Sequence, residues 1–228
     1  MSKSKSTVGA VIVAAGSSQR MNGGDKLFTP LCGETVLARV ITVFQGCIAI
    51  DQIVIVVREE KVEDVIELVT DREWSKVVDV CAGGERRQDS VQAGLDKIKK
   101  CDLTVVHDGA RPLVTANVIE RGLEVALDTE AAAAAMPVTD TIKVVGPDGT
   151  VHYTPSRDSL WAVQTPQVFR TELLRKAYRR VKEEVSDDAT AVEQFGHRVV
   201  LYRGSYDNIK ITTPDDFVLA EALLKNRG

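Results

Sequence analysis

No stretch of this 228-residue chain reaches the roughly 18 consecutive apolar residues that a membrane-spanning helix needs. An excess of basic charge is missing too. Twenty-nine Lys and Arg stand against 33 Asp and Glu, a net charge of −4. A mildly acidic surface gives no reason to expect nucleic acid or an anionic membrane as a partner. The four cysteines, Cys32, Cys47, Cys81 and Cys101, form no CxxC pair. They read as buried free thiols of a reducing cytoplasm and not as a metal site. The N-terminal segment does not read as a secretory signal. Met1 to Thr7 is a short polar tail, and the apolar segment behind it runs straight into Gly16 and a charged loop. GxxxxGK[ST] does not occur, which excludes a Walker-type phosphate loop. GxGxxG does not occur either, so a dinucleotide fingerprint is unsupported. There is no internal repeat and no linker, and the length suits one domain over 1–228.

What is present is an alternation. Apolar runs of strand type at 10–15, 53–57, 77–81 and 103–106 are separated by segments with helical spacing. Val36, Val40 and Phe44 share one face, Val62, Val65, Ile66 and Val69 another, and Val91, Leu95 and Ile98 a third. A helix from about Ala116 to Leu127 follows. Strands alternating with single helices predict a mainly parallel sheet, with ligands at the carboxyl ends of its strands. The five alanines at 131–135 favour helix by propensity. Their place in the alternation predicts strand, and strand is our assignment. Residues 140–154 read as a hairpin around Gly-Pro-Asp-Gly, either an extra edge or an arm reaching a second subunit. A helix is expected over 171–184. The last helix opens with Thr213 as N-cap, Pro214 in its first position and acids in its first turn.

Three loops that follow strands carry polar chemistry. In "VIVAAGSSQRMNGGDKLF" glycines permit close backbone approach to a phosphate, and Arg20 and Lys26 offer charge. The bland alternative is a surface loop with two solvated cations. In "GGERRQDSV" the paired glycines do the same, and Glu85 and Ser90 could bond a base edge. Asp89 or Ser90 could equally be the N-cap of the next helix. In "VVHDGARP" Asp108, at the end of a central strand, suits Mg²⁺ with substrate phosphates completing the shell. It could also be an ordinary turn acid. Arg111 could pair with Asp108 or a phosphate, and His107 reads as structural. Thr141, Arg157, Thr165, Asp207 and Lys210 are polar candidates spread over the back half. Asp207 is a possible second metal or hydroxyl ligand and Lys210 a further phosphate cation. Trp161 reads as core.

The segments "AAGSSQRM", "GGERRQDSV", "HDGARP", "TDTIK", "LWAVQTPQ" and "DNIKITTPDD" occur in one order along Val8 to Leu224. In that order they resemble the 2-C-methyl-D-erythritol 4-phosphate cytidylyltransferases. The resemblance implies a Rossmann-like α/β nucleotidyltransferase fold with a protruding β-arm over roughly 137–160. It also implies a cytoplasmic homodimer, Mg²⁺, and transfer of CMP from CTP to methylerythritol phosphate with release of pyrophosphate. Carried over residue by residue, Ala14, Ala15 and Gly16 line the nucleotide, and Gly84, Glu85 and Ser90 meet cytosine and ribose. Arg20 and Lys26 hold the CTP phosphates and, as catalytic residues, stabilise the transition state. Asp108 binds Mg²⁺. Arg111, Thr165, Asp207 and Lys210 face the acceptor, with Lys210 counted among the catalytic residues. Thr141 and Arg157 reach it from the other subunit. The chain departs from the usual pattern at Val13, Ser18, Asp25 and Glu85, which implies an unusually mobile Ser17–Asp25 loop. A ribitol 5-phosphate cytidylyltransferase and a non-catalytic nucleotide-binding regulator are the rival readings.

Overall fold

The computed structural model describes residues 6–16 and 25–227. Arg20 and the rest of 17–24 lie outside it, and so does the expectation about that loop's mobility. The first strand, β1 (Val8–Ala14), leads through a two-strand ribbon, β2 (Pro30–Leu31) and β3 (Glu34–Thr35), to α1 (Val36–Gly46). Next come β4 (Gln52–Val57), α2 (Val62–Asp71), β5 (Val77–Ala82), α3 (Arg87–Lys97), β6 (Leu103–Asp108) and α4 (Ala116–Thr129). The back half holds β7 (Ala131–Pro137), β8 (Val144–Val145), β9 (Val151–Tyr153), β10 (Trp161–Arg170), α5 (Thr171–Arg180), α6 (Asp188–Gln194), β11 (Val200–Arg203) and α7 (Pro214–Lys225).

Seven strands form one sheet in the order β11-β7-β10-β6-β1-β4-β5. Only β10 runs against its neighbours; the other pairings are parallel. Both faces are covered, as parallel sheets require. Ala10, Ile12 and Ala14 of β1 point into a core that includes Leu37, Ile41 and Phe44 of α1 and Ile119 of α4. Val11 points the other way, with Val54, Val56 and Ile98. Val106 and Phe169 meet Leu95 of α3 and Leu174 and Ala177 of α5 on that second face.

The alanine run is indeed strand. β7 is hydrogen-bonded on both sides, to β10 and β11, and Ala131–Ala135 are fully buried. Pairing on two edges outweighs an intrinsic helix preference worth tenths of a kilocalorie per residue, about 0–0.7 kcal/mol. The α5 expectation runs four residues too long. After Arg180 the chain is held extended by α3, with Val185 N–H donating to Gln88 Oε1 (3.0 Å) and Gln88 Nε2 donating to Glu183 O (3.1 Å). α7 begins as predicted, with Thr213 and Asp216 forming a reciprocal capping box and Pro214 opening the helix.

Between β7 and β10 the chain leaves the sheet as an arm, closed at its base by Val138 N–H to Leu160 O (3.0 Å). At its far end β8 and β9 make the expected hairpin. Gly149, at φ +80°, takes the left-handed position of its turn, where a side chain would be strained. Two expectations fail. Trp161 is exposed at the root of the arm instead of lying in the core. Cys32 is exposed in the turn of the β2–β3 ribbon; Cys47 is buried, and Cys81 and Cys101 are half-buried. Cys32 sits in the tight turn beyond the buried Leu31, and Trp161 lies where β10 passes out of the sheet into the arm. Among the described residues no helix is long and apolar enough to cross a membrane.

Candidate active site

β1 and β6 are neighbours, so their carboxyl ends open side by side. Gly109 N–H donates to Val13 O (2.8 Å) just beyond them. The turn after β5 comes close to the same place. A Cβ on Gly83 would lie 2.4 Å from the Cβ of Ala15 and 2.5 Å from Ser90 Oγ, so only glycine lets the two loops approach this closely. The result is a cleft of about 320 Å³. Ala14, Ala15, Gly16 and Lys26 line one side, Gly84, Glu85, Arg86, Arg87 and Ser90 the other, and Asp108 and Lys210 the inner end.

A second cavity, of about 310 Å³, adjoins it. Arg111, Val163, Gln164, Thr165, Gln167, Ser186 and Asp187 line it, together with Arg87, Asp108 and Lys210. Those last three residues belong to both linings. They form the partition between the two chambers.

Asp108 is the centre of the partition and is 7% exposed. Its Oδ2 is 2.7 Å from Lys210 Nζ and 4.0 Å from Arg111 Nε, and its Oδ1 is 3.3 Å from Arg87 Nη2. Burial pushes its pKa up, but the cations Arg87, Lys210 and Arg111 overcome this and hold it well below the usual carboxylate range. It is an anion at any physiological pH. Burial also lowers the Arg111 pKa, against the pull of Asp108. Arg87 moves the other way. Its burial is outweighed by Asp188 and Asp108, which bind the charged form.

A chain of hydrogen bonds sets the position of this loop. Asp108 N–H donates to Thr165 Oγ1 (3.0 Å), and Thr165 Oγ1 lies 3.1 Å from His107 Nδ1. His107 Nε2 lies 3.3 Å from Arg111 O. In the neutral ring Nε2–H donates to the carbonyl and Nδ1 accepts from the Thr165 hydroxyl. Burial lowers the His107 pKa to about 4, in keeping with that tautomer. Arg111 in turn donates to Asn208 O (2.7 Å), and Ile211 N–H donates to Ala110 O (2.8 Å). These bonds fasten the loop that carries Lys210 to the loop that carries Asp108.

The structure gathers most of the sequence-derived candidates. Ala14, Ala15, Gly16, Lys26, Gly84, Glu85, Ser90, Asp108 and Lys210 share the first cleft, and Arg111 and Thr165 share the second. Some roles change. The buried Ser90 hydroxyl accepts from Gly84 N–H (3.2 Å) and so shapes the glycine turn. Neither Ser90 nor Asp89 caps α3. Arg86 is the N-cap, and Asp89 is its third residue, accepting from Arg86 N–H (3.1 Å). The Thr165 hydroxyl is taken up between Asp108 and His107. Asp207 lines neither chamber, and its carboxylate meets Arg227 at 3.3 Å. Thr141 and Arg157 are exposed on the arm, where Arg157 Nη1 donates to Thr139 O (3.0 Å). Asp25, where the usual pattern has proline, pairs with Arg58 and accepts from Leu27 N–H (3.2 Å), anchoring the segment that carries Lys26.

Arg87 is the residue that sequence reasoning missed. The doubled arginine beside two glycines was its signal. Its buried partner Asp188 lies 101 residues away and had none. Among the described residues no group of three or more His, Cys, Asp and Glu side chains could hold a metal ion. A lone carboxylate at the partition fits a hard dication that takes its remaining ligands from phosphate oxygens and water, as Mg²⁺ does.

The family model for 2-C-methyl-D-erythritol 4-phosphate cytidylyltransferase matches residues 8–226. The chain belongs to this family. A relative of that name from Dehalococcoides mccartyi is 50% identical over 218 residues, 96% of each chain. Another from Symbiobacterium thermophilum is 47% identical, covering 97% of this chain and 94% of the relative. Among solved structures, the 4-diphosphocytidyl-2C-methyl-D-erythritol synthase of Anaerococcus prevotii superposes with a TM-score of 0.87 at 28% identity, covering 97% of both chains. The Thermus thermophilus cytidylyltransferase gives a TM-score of 0.76 at 31% identity, covering 97% of this chain and all of that one. The activity that goes with membership is CTP-dependent cytidylyl transfer to 2-C-methyl-D-erythritol 4-phosphate.

Proposed function

We propose that CTP occupies the first cleft, methylerythritol phosphate the second, and the α-phosphate of CTP the partition between them. The observation that carries this reading is the wall common to both chambers, where Asp108 and Lys210 stand in contact. An acceptor phosphate entering from one side and a leaving pyrophosphate on the other side place the α-phosphorus there, in line. The acceptor oxygen forms a bond to that phosphorus as the bond to pyrophosphate breaks. The nucleophile is already an anion, so no general base is needed. The barrier lies in bringing anions together, and fixed cations lower it.

Lys26 and Arg20 act on the triphosphate, Lys210 on the transferring group and Arg111 on the acceptor. Asp108 would hold Mg²⁺, which neutralises charge on the phosphates when bound. For that, the Lys210 ammonium must release Asp108 and turn to phosphate, which its half-exposed position permits. The arm supports a homodimer. Ile142, Val145, Val151 and Tyr153 turn apolar side chains to solvent, and a lone hairpin is marginal without a partner. Thr141 and Arg157 then serve the partner's acceptor chamber. The chain works in the cytoplasm.

The direct test is pyrophosphate release from CTP with each of two acceptors, with and without Mg²⁺. Release with methylerythritol phosphate alone, abolished by chelation, is the expected result. Equal release with ribitol 5-phosphate would move the acceptor assignment to the sister activity. Nucleotide binding without any release would make the chain a regulator.

A further inference from the structure

Asp188, the first residue of α6, is fully buried and lines neither chamber. Its Oδ2 accepts from Arg87 Nη2 at 2.7 Å, and its Oδ1 accepts from the hydroxyl of the buried Tyr178. A carboxylate with no exposure costs several kcal/mol to desolvate, and apolar groups of similar volume are often as stabilising as a buried ion pair. Stability alone is therefore a poor reason for this arrangement. Geometry supplies a better one.

Arg87 is the first residue of α3 and faces two carboxylates. Nη2 reaches Asp188, while Nε and Nη2 both lie 3.3 Å from Asp108 Oδ1. The short contact is to the buried acid and the longer ones are to the acid of the partition. Among the described residues no hydrogen-bond partner of Nη1 is found. The guanidinium is thus held by a buried carboxylate that lines neither chamber, while Arg87 itself lines both. A planar fork of five N–H donors suits this double duty, and an ammonium does not.

We propose that Arg87 is a further cationic contact of the transferring phosphate, and that Asp188 is the positioning residue that holds its guanidinium in place, with Tyr178 fixing the carboxylate. The inference rests on the cytidylyl-transfer reading above. Asp188 compensates the Arg87 charge from behind, so Asp108 stays available to Lys210 and to a bound cation.

The test is a double-mutant cycle on the full-length protein, read as kcat and KM for CTP with methylerythritol phosphate, alongside thermal melting. Arg87→Lys keeps the charge and removes the fork. It should lower kcat by about 10–10²-fold, the worth of one or two charge-assisted hydrogen bonds. Asp188→Asn keeps shape but loses the charge and one of the two acceptor oxygens, and should lower kcat by about 10-fold. The double variant should be no slower than Arg87→Lys alone, because Asp188 acts only through Arg87. Arg87→Lys at wild-type kcat would overturn the proposal. So would losses that multiply in the double variant, or an Asp188→Asn protein that melts lower but turns over normally. A wild-type chain that releases no pyrophosphate would instead overturn the transfer reading, and the proposal with it. Should Arg87→Lys fail to fold, Asp188→Asn and Tyr178→Phe remain. Both should reduce kcat with the CTP KM within about threefold, and unchanged kcat in both would contradict the proposal.

Discussion

The partition at Asp108 and the arm at 138–160 are built on opposite principles. At the partition each charge has a protein partner: Asp108 meets Lys210, Arg87 and Arg111, and Arg87 also meets Asp188. On the arm Arg157 donates to Thr139 O at its own base, with no other bond among the described residues, and Val145, Val151 and Tyr153 face solvent. The first region is complete within one chain. The second spends chain length on a hairpin that satisfies its backbone and not its side chains. A site preorganised for phosphate needs its cations fixed before the substrate arrives. A surface meant for another molecule must leave its apolar groups exposed.

Substitutions should separate the two regions by size of effect. Asp108→Asn should have the largest. It removes the anion that Lys210, Arg87 and Arg111 share, and a neutral amide is a poor ligand for a hard dication. Turnover should fall by more than 10³-fold, roughly the loss of a metal ligand plus that of a preorganised charge. Near-normal activity at ordinary Mg²⁺ concentration would place the metal elsewhere. Lys26→Ala should cost about 10²–10³ in kcat, by analogy with loss of one oxyanion donor. A rise in the CTP KM with kcat unchanged would make Lys26 a uniform binding contact. Arg157→Ala should cost about 10–10²-fold in kcat/KM for the acceptor, the worth of one charged bidentate contact. Its melting temperature should not move, since its side chain is exposed.

The smallest effect is one of pH on stability. Neutral His107 has a folded pKa near 4, below its unfolded value near 6.5. Between those values the unfolded chain binds the extra proton, so stability rises with pH across the window and is lost as pH falls through it. The slope is about 1.4 kcal/mol per pH unit at most. Urea midpoints of wild type and His107→Asn at pH 7 and pH 5 would show it. Equal pH dependence in the two proteins would remove His107 from the account.

The sheet was legible because strands and helices repeat with local periods, and because the alanine run had a place in the alternation that overrode its propensity. The lining of the first cleft was legible for the same reason. Its described residues stand at or just beyond strand ends: Ala14 to Gly16 at β1, Gly84 and Glu85 after β5, and Asp108 at the end of β6. What escaped depended on distance along the chain. Asp188 reaches Arg87 from a helix 101 residues on, and Thr165 turns out to bond His107 and Asp108 across 58 and 57 residues. No period encodes such pairings. Trp161 failed for a related reason, because an apolar residue beside apolar neighbours reads as core even where the strand has left the core.

On the proposed reading the Asp108 cluster belongs to one chain and the arm completes another chain's acceptor chamber. Mixing Lys26→Ala and Arg157→Ala proteins under subunit exchange tests it most directly. In a pyrophosphate-release assay at low acceptor concentration the Lys26→Ala homodimer should run about 10²–10³-fold, and the Arg157→Ala homodimer about 10–10²-fold, below wild type. Each heterodimer should regain one intact site, so activity should reappear as exchange proceeds. If heterodimers form and activity stays at the level of the single variants, Arg157 serves its own chain or none. The arm would then be a clasp only.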